Sequence, residues 1–213
     1  MTAIFFMWGF ITVLNDVLIP HLKTLFTLNY FEVMLVQFTF FGAYFLMSLP
    51  SGKVVSRLGY RVGIIAGLIV TGIGALLFLP AAQWQTYPLF LVAFFVLASG
   101  ITLLQVAANP YVSLLGPPKF ASSRLNLTQA LNSLGTFLAP KLGGLVILST
   151  AVLGAVELAK LTPAQQAAYR LYQAHSVQGP YLGIAIVLFL LAIVVWLFRL
   201  PRQENTVEAD DSR

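Results

Sequence analysis

Pro88-Leu-Phe-Leu-Val-Ala-Phe-Phe-Val-Leu-Ala-Ser-Gly-Ile-Thr-Leu-Leu-Gln-Val-Ala-Ala-Asn-Pro-Tyr-Val-Ser-Leu-Leu115 carries no charged side chain from end to end. A helix on the surface of a soluble protein marks its wet face with charge, and this run has no such face. About 20 apolar residues cross the ~30 Å hydrocarbon core of a bilayer, so the run reads as a membrane span. It is long for one crossing, which predicts a tilt or a break near Asn109-Pro110.

Working outward, five more apolar runs flank it, giving six expected spans at about 2–22, 31–49, 62–80, 88–115, 125–150 and 180–200. Composition agrees. Of 213 residues, 59% are hydrophobic and only 9% charged, with a mean hydropathy of +0.87. A soluble domain carries roughly a quarter charged residues, so most of this surface must face lipid. The fold class expected is all-α, a polytopic transmembrane helix bundle of six spans over residues 1–200.

The net charge of +5 does not point to nucleic acid, because the basic residues fall in short connections between apolar runs. The chain has no cysteine, which removes disulfides and thiolate metal sites. His21 and His175 form no ligand pair of the HExxH type, so no metal or cofactor is expected. The first run continues past Asn15 and Asp16 without a small-residue cleavage site, so no cleaved leader is expected.

Lys and Arg set the orientation. Ser51-Gly-Lys-Val-Val-Ser-Arg-Leu-Gly-Tyr-Arg61 joins spans 2 and 3 and holds Lys53, Arg57 and Arg61. Gly116-Pro-Pro-Lys-Phe-Ala-Ser-Ser-Arg124 joins spans 4 and 5, and Arg199 and Arg202 follow span 6. The 1–2 connection has only Lys23, the 3–4 connection has none, and the longer 5–6 segment has Lys160 and Arg170. Both termini are therefore expected on the cytoplasmic side. Within the 5–6 segment, Thr162 can cap a short helix with Pro163 at its first position, expected to lie outside the membrane. The acidic stretch 201–213 reads as a solvated cytoplasmic tail or linker.

Ionisable groups in hydrocarbon are expensive and therefore candidates for function. Two fall well inside spans: Asp16 and Lys141. Glu32 sits at the start of span 2, where a helix-start role is expected. Burial favours the uncharged form of a carboxylic acid, which makes Asp16 the candidate proton carrier. Pairing of Lys141 with Asp16, or snorkelling of its long side chain, are both open.

Gln105 and Asn109 share one face of span 4, and Pro110 frees a carbonyl one turn back. Asn126, Gln129 and Asn132 recur every three residues on span 5. Such stripes can glue helices together or line a polar cavity. Two of them beside an intramembrane acid favour a cavity, and amides match the paired donors and acceptors of sugar hydroxyls. Trp8 and Thr12 lie on the Asp16 side of span 1, and Gln37 and Tyr44 share a face of span 2.

Phe5-Phe-Met-Trp-Gly9, Leu14-Asn-Asp16, Gly100-Ile-Thr-Leu-Leu-Gln-Val-Ala-Ala-Asn-Pro-Tyr111, Ser123-Arg-Leu-Asn-Leu-Thr-Gln-Ala-Leu-Asn-Ser-Leu-Gly135 and Val177-Gln-Gly-Pro-Tyr181 together resemble the fucose–glucose–galactose permeases of the major facilitator superfamily. The resemblance runs through spans 1 to 6 in order. It implies proton-coupled hexose symport by alternating access across a bacterial inner membrane. Asp16 matches the family's acidic residue of the first span, tied to proton coupling and sugar binding. Asn15, Gln105, Asn109, Gln129 and Asn132 are the accompanying candidates for sugar contact. The fucose branch has a glutamate where this chain has Gln105, so the likeness is closer to the glucose/galactose branch and leaves one proton carrier fewer. Gly52, Arg57, Gly59 and Arg61 match the superfamily's 2–3 connection motif, with Ser56 where many members have Asp.

The family has two six-helix halves, and this chain resembles the N-terminal one. Within a half, spans 1–3 and 4–6 are inverted repeats, which would set Asp16 and Gln105 near the same depth. The expected partners are a sugar, protons, the lipid bilayer, and a second half or second copy of the chain. A truncated or split-gene product without transport activity of its own is the rival reading. A membrane-embedded enzyme would need a nucleophile–base pair, paired carboxylates or metal ligands, and none is legible; the chain is not expected to be an enzyme.

Overall fold

A computed structural model describes residues 1–26, 28–147 and 160–198. Among these the secondary structure is helical: α1 (Thr2–Leu25), α2 (Tyr30–Gln83), α3 (Tyr87–Leu114), a short 3-10 turn (Pro118–Phe120), α4 (Ala121–Ile147) and α5 (Pro163–Leu197). The far ends of the fifth and sixth expected spans, with Arg199, and the tail 201–213, with Arg202, lie outside the described residues, as does 151–159.

α2 cannot be one straight rod. Its 54 residues would extend about 80 Å, against ~30 Å of hydrocarbon. The break is Gly59, at φ 83 and ψ 166, a conformation essentially closed to residues with a side chain. The chain doubles back there: Gly63 sits against Val55 across the turn. The arms 30–58 (α2a) and 60–83 (α2b) are thus two rods, and the described helices supply six. The connection read at 51–61 shrinks to one residue, because its polar side chains are tolerated on helix ends at the bundle's edge.

Two further expectations change. Of the tilt or break expected near Asn109-Pro110 the break is absent: α3 runs unbroken through Pro110, since proline removes one intrahelical bond and the surrounding turns hold. The helix begun at Thr162 is not a separate element. Thr162 and Gln165 form a reciprocal capping box with Pro163 at the helix start, and the helix then continues to Leu197. The reason is a single buried stripe of Gln173, Val177, Tyr181, Ile184, Leu188, Ala192 and Val195, which passes straight across Pro180 at helical spacing. Glu32 has the helix-start role expected of it, in a capping box with Asn29.

Small residues set the helix contacts. α2b and α3 run antiparallel, with Gly67 against Leu104, Gly74 against Leu97, and Gly100 against the Thr71 backbone. Without a Cβ at these points the two backbones approach closely. α5 lies antiparallel on the other side of α2b, with Phe189 against Gly72 and Tyr181 stacked on Phe78 at 4.0 Å. α1 and α4 run parallel, joined where Gly9 meets Asn132, Gly135 meets Phe6 and Phe10, and Gly143 meets Leu14. The alternation brings Met1, Gly59, Leu114 and Phe198 to one end of the bundle, here the terminal end.

α1, α2, α3 and α5 are long and apolar enough to cross a membrane. α4 falls short by composition because its exposed side carries Asn126, Ser133 and Lys141. Leu182, Ile186, Leu190, Ile193 and Leu197 are exposed along α5, the apolar coat of a multi-pass membrane protein.

Candidate functional site

Four helices form a wall, and each neighbouring pair is linked by a polar contact. Gln37 Nε2 on α2a donates to Asp16 Oδ1 on α1 at 3.1 Å. Gln105 Nε2 on α3 donates to the Tyr44 hydroxyl on α2a at 3.1 Å, and that hydroxyl lies within reach of Trp8 and Thr12 on α1. Gln129 Nε2 on α4 donates to Asn109 Oδ1 on α3 at 3.4 Å. Asn132 Nδ2 on α4 donates to the Phe5 carbonyl on α1 at 3.0 Å, closing the circuit.

Helical periodicity places these groups. Trp8, Thr12 and Asp16 succeed one another every four residues on one face of α1; the first two are half-buried and Asp16 is exposed. Gln37 and Tyr44 are seven apart on α2a, again one face. Gln105, Asn109, Gln129 and Asn132 are half-buried and hydrogen-bonded, and Asn126 is exposed. An amide has spare donors and acceptors after one bond, so holding the wall together does not exhaust it.

The links do not lie at one depth. Gln37 and Tyr44 are about 10 Å apart along α2a, so Gln105 stands roughly that much nearer the terminal end than Asp16. The equal depth expected from the inverted repeat is not observed. The polar groups form a track that descends from Asp16 and Gln37, past Tyr44 and Gln105, to Asn109, Gln129 and Asn132.

Asn15 departs from the others. It is 3% exposed and turned away from the wall, its Oδ1 accepting from the Tyr181 hydroxyl on α5 at 2.9 Å. Its Nδ2 is buried without a partner. Tyr181 was legible only as part of a sequence motif; its place on the buried α5 stripe, with a polar tip, was the available signal. Lys141 is exposed on α4, and its ammonium lies 4.6 Å from the centre of the Phe137 ring one turn back. No ion pair among the described residues joins it to Asp16.

The residues of the 2–3 connection separate into different tasks. Gly59 makes the turn, and Arg61 donates to the Trp196 carbonyl at the end of α5, where the helix dipole favours a cation. Arg57 is exposed and Gly52 half-buried. Arg124 does for α3 what Arg61 does for α5, reaching the carbonyls of Val112 (3.2 Å), Ser113 (2.7 Å) and Pro117 (3.1 Å). Sequence reasoning counted both arginines as orientation signals and missed their capping role. A groove of about 270 Å³ between α2a and α3, lined by Leu35, Phe38, Thr39, Gly42, Leu46, Leu91 and Phe95, is apolar and contains none of the polar candidates.

Comparison with known proteins fits this architecture. The chain is 53% identical over its whole length to a glucose/galactose transporter of Brucella abortus, of which it covers 48%. It is 38% identical over 98% of its length to the L-fucose-proton symporter of Escherichia coli K12, again covering 48%. The chain thus spans about half the length of the curated relatives it matches. A crystal structure of the E. coli fucose:proton symporter superposes on 94% of this chain with a TM-score of 0.82 at 37% identity, covering 48% of that structure. A structure of FucP in the outward conformation gives 0.83 at 39% identity, with 94% and 49% covered. The model of the Major Facilitator Superfamily matches residues 1–212. The chain belongs to the Major Facilitator Superfamily, and its fold is that of one six-helix half.

Proposed function

We propose that the chain is the N-terminal half of a proton-coupled hexose symporter that works by alternating access. Asp16 carries the proton, and Gln105, Asn109, Gln129 and Asn132 contact the sugar; Asn15, notwithstanding its place in the motif, acts from behind the wall. The observation that carries this reading is an acid well inside the membrane-spanning α1, exposed in this half and not buried as expected, and held by Gln37 at the head of a track of half-buried amides. The relatives named as glucose/galactose transporter and L-fucose-proton symporter support the substrate class. A transporter family also favours transport over catalysis.

The second half completes the cavity by an axis along the membrane normal. The Lys and Arg bias supports a terminal end in the cytoplasm, and the bacterial relatives support an inner-membrane setting. Asp16→Asn is expected to abolish sugar accumulation driven by a proton gradient while sparing much of sugar exchange. Accumulation at the wild-type level across all pH values would sink the assignment.

A second reading is that the chain transports nothing alone. It is favoured by the openness of the wall, since Asp16, Asn126 and Ser133 are exposed with no helix over them among the described residues. Saturable hexose uptake by liposomes holding only the purified chain would reject this second reading.

A further inference from the structure

Asn15 and Asp16 are neighbours in sequence and therefore point about 100° apart around α1. One is buried at 3% exposure and the other is exposed. The buried one is fixed to α5 by the Tyr181 hydroxyl at 2.9 Å. Tyr181 has little freedom of its own: it is fully buried, and its ring stacks on Phe78 at 4.0 Å. Phe78 is clamped in turn by Phe94 at 5.0 Å and Phe90 at 5.8 Å. A rigid aromatic block thus holds one side chain of α1, one position before the acid.

We propose that Tyr181 is a positioning residue for the Asp16 site, fixing the rotation of α1 through Asn15 so that Asp16 is presented to the open face beside Gln37. The inference rests on the reading of Asp16 as the coupling residue, but the geometry it describes can be tested apart from transport. α1 is also held by its glycine seam with α4, where Gly135 and Gly143 meet Phe6, Phe10 and Leu14, and by a second buried contact to α5, His21 Nε2 with the Gln173 carbonyl at 2.8 Å. The Tyr181 bond is the buried contact that falls on the turn carrying Asp16, where the other polar links of α1 are single hydrogen bonds along the wall, Gln37 to Asp16 and Asn132 to Phe5. The Tyr181 bond is buried, where water cannot replace a lost partner. Losing it would leave both ends of the Asn15 amide unpaired, since Nδ2 already has no partner. The amide would then turn toward a wetter side and draw the Asn15–Asp16 turn of α1 with it, within the limits set by the α4 seam.

The chain has no cysteine, so single cysteines placed on α1 report its rotation directly. Cysteines at Thr12, Asp16, Val13, Val17 and Ile19, one at a time, are reacted with a membrane-impermeant thiol reagent in proteoliposomes of the full chain. The exposed stripe should run through positions 12 and 16 in the wild-type background. Tyr181→Phe keeps the ring and removes one hydroxyl; it should lower labelling at 16 severalfold and raise it on one flank, at 13 and 17 or at 19. Asn15→Leu, which removes the acceptor, should reproduce that pattern. An unchanged stripe in both backgrounds overturns the proposal, as does a uniform rise at all five positions, which reports loosening and not rotation. With a second half supplied, Tyr181→Phe should reduce proton-driven hexose uptake more than hexose exchange. A shifted stripe with wild-type coupled uptake would overturn the role of Asp16 and leave the tether standing, so the two failures are distinguishable.

Discussion

The bundle has a closed side and an open side; both use glycine seams, and the open side adds a chain of side-chain hydrogen bonds. On the closed side α2b, α3 and α5 meet through glycines and an aromatic cluster, Phe78 with Phe90, Phe94 and Tyr181. On the open side α1, α2a, α3 and α4 meet in part through the Asp16, Tyr44, Asn109 and Asn132 contacts at 3.0–3.4 Å. Close packing resists deformation and transmits motion as a unit. Single hydrogen bonds exchange partners readily, with a net worth of about 1 kcal/mol. The closed side is suited to move as a body, the open side to change its contacts with a ligand.

The contrast can be broken by substitution. Phe78→Ala empties the centre of the aromatic cluster and should cost about 3–5 kcal/mol of stability, read as a lower midpoint of unfolding in detergent; a loss below about 1 kcal/mol would mean the closed side is not close-packed. Gly100→Val places a side chain against the Thr71 backbone and should cost about 1–3 kcal/mol by overpacking, with helix separation visible as extra labelling of cysteines in the seam. On the open side, Gln105→Leu should change stability by only about 1 kcal/mol while raising the hexose concentration needed for half-maximal binding. Gln129→Ala, whose bond at 3.4 Å is the longest of the set, should shift stability by no more than about 0.5 kcal/mol. Equal destabilisation by Gln129→Ala and Phe78→Ala would erase the distinction between the two sides.

The class of fold was readable because hydrocarbon imposes one dominant rule, a run of apolar residues per crossing. The polar candidates were readable for the complementary reason, that amides and acids in such runs need partners. Where the reading failed, a local signal competed with a periodic one. The polarity of Ser51 to Arg61 suggests a loop, yet Gly59 alone breaks the helix. Pro180 suggests a span start, yet the buried stripe from Gln173 to Val195 runs through it. The direction of Asn15 was hidden because sequence adjacency to Asp16 suggests shared duty, whereas a helix sends neighbours to different sides. The unequal depths of Asp16 and Gln105 were hidden because repeat symmetry relates helices, not side-chain heights.

α5 has a consequence beyond the membrane. Its 35 residues make a rod of about 52 Å, well over the ~30 Å of hydrocarbon. It is fastened low on its length, where His21 Nε2 and the Gln173 carbonyl lie 2.8 Å apart. The ten residues from Pro163 to Tyr172 continue the same helix about 15 Å beyond that contact. A small membrane protein offers few features to an imaging method, and a helix that outruns the hydrocarbon is one against which an antibody fragment could be raised.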